Sequence, residues 1–92
     1  MNKIFEYRKE NNLTQDDFLF DLNRAGLHCT KSDISRWERG KCIPNSDARY
    51  VLADILKISE YELFVNIILN LDYKHYQSSI TKRRGSKNAN TG

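Results

Sequence analysis

Apolar residues recur along this chain at three- and four-residue intervals, and nearly every interruption of that rhythm is made by residues that start or end helices. The clearest run, Ala48, Val51, Leu52, Ile55 and Leu56, follows Pro44, Asn45 and Ser46, which open helices. Side chains on a strand alternate with a period of two, so this spacing does not suit one face of a sheet. The reading is all-α, with breaks at Asn11-Asn12, Gly26, Gly40 to Asn45 and Lys57 to Ser59.

The first helix is expected from Lys3 to about Glu10, with Ile4, Phe5 and Arg8 on one side. Thr14 and Asp17 form the pattern of a capping box and start a second helix, whose inward face is Phe18, Leu19, Leu22 and Ala25. Gly26 ends it, and Gly26-Leu27-His28-Cys29 reads as an exposed loop. Phe20 falls on the outer face, either as an isolated surface aromatic or as an anchor for a partner. Thr30 caps a third helix reaching Arg39, in which Ile34 and Trp37 are the only large apolar residues. Lys31, Ser32, Asp33, Ser35, Arg36 and Arg39 leave most of its circumference to something outside the core.

Ser59 with Glu60 and Glu62 opens a fifth, extended C-terminal helix running to about Ser78. It carries two apolar stripes, Phe64, Ile67, Ile68 and Leu71 on one side and Val65, Leu69, Tyr73 and Tyr76 on the other. A small domain covers one stripe internally, so the second points to a homodimer contact. Two alternatives stay open: the segment wraps over its own domain, or the β-branched run from Val65 to Leu71 is a strand.

Composition narrows the function classes. The 92 residues make one small domain, taken as 1–80, followed by a cationic, polar tail at 81–92 that is expected to be disordered. The net charge of +3 belongs to that tail, because removing Lys82, Arg83, Arg84 and Lys87 from the 15 basic residues leaves 11 against 12 acidic ones. The apolar stretch Leu63 to Leu71 is broken by Asn66 and Asn70 and is too short for a bilayer, and Glu6, Arg8, Lys9 and Glu10 stand where a signal peptide would be apolar. The expectation is a cytoplasmic protein without a membrane partner. His28, Cys29, Cys42 and His75 match no usual metal-ligand spacing, so neither metal nor cofactor is expected. His28 beside Cys29 has no orienting third group, and there is no Gly-rich phosphate loop, so an enzyme is not expected.

The run Ile34-Ser35-Arg36-Trp37-Glu38-Arg39-Gly40-Lys41, followed by Pro44 and the core pattern to Leu56, resembles the end of the third helix in the Cro- and repressor-type (XRE-like) helix-turn-helix family of phages and mobile elements. The resemblance extends from Ile4 to Phe64 and implies a five-helix, lambda-repressor-like domain whose third helix reads the DNA major groove. By that resemblance Glu38 pairs with Arg8, and Gln15 holds a phosphate at the start of the second helix. Independently, a carboxylate beside a buried Trp requires a partner. Lys31, Ser32, Asp33, Ser35 and Arg36 become the candidates for base edges, with Arg36 suited to guanine and Asp33 to a cytosine amine. Arg39, Lys41 and Asn45 are candidates for phosphates. The implied function is a sequence-specific regulator binding a double-stranded operator. The alternative is an antirepressor of the same fold that masks a repressor protein, using Phe20, Leu27 and the second stripe of the last helix.

Overall fold

Each helix in the computed structural model, which describes residues 2–73, begins at a side-chain cap that the sequence supplies. Asn2 caps α1 (Lys3–Glu10), Thr14 caps α2 (Gln15–Arg24), Thr30 caps α3 (Lys31–Glu38), Asn45 caps α4 (Ser46–Leu56) and Ser59 caps α5 (Glu60–Leu69). In every case the cap oxygen accepts a backbone N–H of the first turn, which would otherwise lack a partner. At α2 and α3 the bond is reciprocated by Asp17 and Asp33, completing two capping boxes. No strand occurs among the described residues, and the run from Val65 to Leu69 is helical.

The exits are as regular as the entries. After α1, α2, α3 and α4 one residue turns left-handed, respectively Asn12, Gly26, Gly40 and Lys57. The residue that follows donates its N–H back over the last turn, Leu13 to Arg8, Leu27 to Leu22, Lys41 to Arg36 and Ile58 to Ala53. These are Schellman closures, which carry the next side chain back against the helix. Three of the four residues so placed are apolar; the fourth, after α3, is Lys41.

Ile4, Phe18, Leu22, Ile34, Leu52, Leu63 and Ile67 are fully buried and form the centre of the core. α2 packs on α3, α4 on α5, and α1 lies against α3, α4 and α5. The start of α1 is fixed at both sides: the Asn2 side-chain amide donates to the Trp37 carbonyl at 2.6 Å, and the Lys3 N–H donates to Asn66 Oδ1 at 2.8 Å. No helix among the described residues is long and apolar enough to cross a membrane.

Three expectations are corrected. Leu27 is not a surface residue but 9 % exposed, because the left-handed turn at Gly26 swings it into the core; Ala25, expected inside, is exposed. On α5 the buried line is Leu63 and Ile67, continued by Leu71, while Phe64 turns outward under the Arg49 guanidinium. Finally, α5 does not run unbroken towards residue 78 but stops at Leu69. Asn70 turns its side-chain amide onto the Asn66 carbonyl, and the Asp72 N–H goes to the Gly40 carbonyl at 2.9 Å instead of to Ile68, as a continuing helix would require. Tyr76, the remainder of the expected helix and the 81–92 tail lie outside the described residues.

Candidate functional site

α3 is held from within by an ion pair. Arg8 Nε donates to Glu38 Oε2 at 2.7 Å and Arg8 Nη2 to Glu38 Oε1 at 3.0 Å, a two-pronged contact between residues that are 8 % and 4 % exposed. Arg8 Nη1 also donates to the Leu13 carbonyl, and Gln15 Nε2 to Glu38 Oε1 at 3.2 Å. The hydrogen bonds to Glu38 push the Arg8 guanidinium above its ordinary value, so it stays charged. With these partners no buried side-chain nitrogen or oxygen among the described residues is left unsatisfied. Three elements, α1, the start of α2 and the end of α3, thus meet at one carboxylate.

The outer surface of α3 follows from this anchorage. Ile34 and Trp37 face the core, and Lys31, Ser32, Arg36 and Arg39 are exposed, with Ser35 half-buried. Two of these exposed cations, Lys31 and Arg36, are paired. Lys31 Nζ lies 3.3 Å from Asp16 Oδ2 on α2, and Arg36 Nη2 lies 2.6 Å from Asp33 Oδ1, one turn earlier on α3.

Asp33, expected to meet a base, has both oxygens engaged: Oδ2 accepts the Thr30 N–H at 2.9 Å and Oδ1 accepts from Arg36. The Thr30 N–H holds its carboxyl below the ordinary value, partial burial opposes this, and Arg36 lowers it further. Asn45, expected on a phosphate, spends its side-chain oxygen on the Ala48 N–H at 2.9 Å as the cap of α4. Gln15, also expected on a phosphate, directs its amide to Glu38. Arg39 remains exposed at the end of α3, and Lys41 is half-buried just beyond it.

A groove beside α3 is lined by Cys29, Asp33, Trp37 and Asn45, among others. Burial raises the Cys29 thiol, and the Asp33 carboxylate raises it further. Burial also raises Cys42, where the nearby Arg36 guanidinium pulls the other way. Both cysteines are free, and no cluster of three metal-ligating side chains exists among the described residues.

Of the residues assigned to a partner, Phe20 is 64 % and Leu69 77 % exposed, Tyr73 is half-exposed and Val65 half-buried. Tyr50 and Tyr61 are exposed as well, and the sequence reading had not singled them out. It also missed Asp16, in the first turn of α2, as the partner of Lys31; the only signal was the acid itself, whose distance from α3 the sequence does not contain. No protein-family model matches the chain, and no curated protein or solved structure matches it.

Proposed function

We propose that this protein is a DNA-binding regulator of the helix-turn-helix type, with α2 lying across the backbone and α3 entering the major groove of a double-stranded operator. The observation that carries the reading is the division of α3. One narrow side is anchored by Ile34, Trp37 and the Glu38–Arg8 pair, while Lys31, Ser32, Arg36 and Arg39 are exposed on the other. A rigid helix with polar side chains projecting from its early turns is what groove readout uses. Lys41 supports the same assignment, since the other three Schellman closures place an apolar residue where this one places a cation.

Within this reading Lys31, Ser32, Ser35 and Arg36 face base edges, and Arg39 and Lys41 hold phosphates. Arg36 matches the paired acceptors of guanine. A two-fold symmetric site would need two copies, joined through Leu69, Tyr73 and the adjoining part of Val65, with their α3 helices about 34 to 36 Å apart. Occupancy of that site would then block or recruit polymerase.

The test is selection of bound duplexes from a random pool, followed by titration of the selected duplex with and without random competitor. Competitor-resistant binding, weakened about 5- to 150-fold by Arg36→Ala, is the expected result, because a good two-pronged base contact contributes about 1–3 kcal/mol. Failure to enrich any duplex would overturn the reading. A second reading, a module that masks a repressor protein, draws on the exposure of Phe20 and on the carboxylates that already occupy Lys31 and Arg36. Phe20→Ala separates the two: it weakens a protein complex and leaves a DNA contact in place.

A further inference from the structure

Asp33, expected at a base edge, has both carboxylate oxygens engaged within the protein. Its carboxylate cannot swing freely, because Oδ2 is tied to the Thr30 N–H while the Asp33 N–H is tied back to Thr30 Oγ1. That double tie leaves Oδ1 at a fixed place one turn before Arg36, where it takes a single N–H from Nη2 at 2.6 Å. The result is an acid held by the helix start and an arginine held by the acid. The Arg36 side chain is still about half exposed.

A guanidinium has five N–H donors, so the bond to Asp33 and the approach to the Cys42 thiol still leave others available. What can use them is decided by charge. A phosphate arriving at Arg36 places a second negative group beside the Asp33 carboxylate, and the repulsion offsets much of the attraction. The N7 and O6 acceptors of guanine are neutral and meet no such repulsion. Arg36 without Asp33 would be a general anchor for any duplex, since backbone contacts position a protein without reading sequence.

Resting on the reading of α3 as the groove helix, we propose that Asp33 is the positioning residue that sets specificity: by holding Arg36 it reserves that guanidinium for a base edge and turns it away from phosphate. Specificity is a difference of affinities, and a built-in repulsion against the wrong ligand widens it as effectively as a better contact to the right one. The capping box makes the device rigid, because the bonds that start α3 also orient the carboxylate.

Asp33→Asn tests this, since Asn keeps an acceptor for the cap and loses the charge. Binding to the selected duplex and to random duplex is measured across a salt series. The expected result is random-duplex binding about tenfold tighter, a log K against log salt slope steeper by about 1 for one added phosphate contact, and a smaller ratio of selected to random affinity. In the Arg36→Ala background the same substitution should change random-duplex binding far less. Asp21→Asn, which removes an equal charge from a different helix, α2, should leave the ratio unchanged.

An unchanged ratio in Asp33→Asn, or a gain that persists in full without Arg36, overturns the proposal while leaving groove recognition standing. If no duplex is enriched with the unsubstituted protein, the groove reading itself falls, and the proposal with it. Should Asp33→Asn fail to fold by circular dichroism, Asp33→Gln, whose side chain also completes capping boxes, carries the same comparison.

Discussion

Glu38 shows how much of this molecule rests on single side chains. Its carboxylate is 4 % exposed and accepts from Arg8 and Gln15, so it draws helices from three parts of the chain to one point. Glu38→Leu leaves the Arg8 charge buried and unpaired, and urea unfolding should show a loss of about 3–5 kcal/mol. The double variant Arg8→Met with Glu38→Leu should recover much of that loss, because removing both charges removes the desolvation cost as well. At the two capping boxes the sign of the pH dependence follows from depressed carboxyl values. Asp17 is held low by the Thr14 backbone N–H and hydroxyl, and Asp33 by the Thr30 N–H. Their ionised forms favour the folded state, so this contribution is complete above the ordinary carboxylate value and is lost as pH falls through the lower folded values. Melting temperatures followed from pH 5 downward should therefore drop less steeply in Asp17→Asn and Asp33→Asn than in the unsubstituted protein.

At the scale of elements, the closures after the helices decide what is buried. Gly26 and Gly40 both have positive φ, yet they do different work. A Cβ at Gly26 would meet nothing within 4 Å, whereas one at Gly40 would lie 2.5 Å from the Asn70 carbonyl oxygen and 2.9 Å from the Asp72 nitrogen. Gly26→Ala should cost backbone strain alone, about 1–2 kcal/mol. Gly40→Ala adds displacement of the 70–72 backbone from the turn that follows α3, and its melting temperature should fall further. Equal melting temperatures for the two variants would show that the contact between the end of α5 and the end of α3 contributes nothing. The same contact explains why the last helix was misread. Periodicity from Phe64 to Leu71 is continuous in the sequence, and what interrupts the helix is a hydrogen bond to Gly40, thirty-odd residues earlier.

For the whole molecule, the helical described region and its near-neutral body leave several aromatic and apolar side chains, among them Leu69 and Tyr73, on the surface. If these join two copies, sedimentation should give a dimer that Leu69→Asp converts to monomer, with the helical content unchanged. A monomer at all concentrations would confine any operator contact to one copy of α3. Much of the architecture was legible because its signals are local. Thr14, Thr30, Asn45 and Ser59 start helices through bonds to residues three positions away, and the apolar spacing of α4 needs no tertiary information. The Arg8 and Glu38 partnership was within reach because a buried carboxylate demands a cation and the family resemblance named which one. The surface of α3 was legible in composition but not in state: the sequence determined that Lys31, Arg36 and Asp33 share a short polar helix. Only the tertiary structure decided that Asp16 from another helix meets Lys31 and that Asp72 stops at Gly40, because each depends on which backbone segments approach one another when the common core closes.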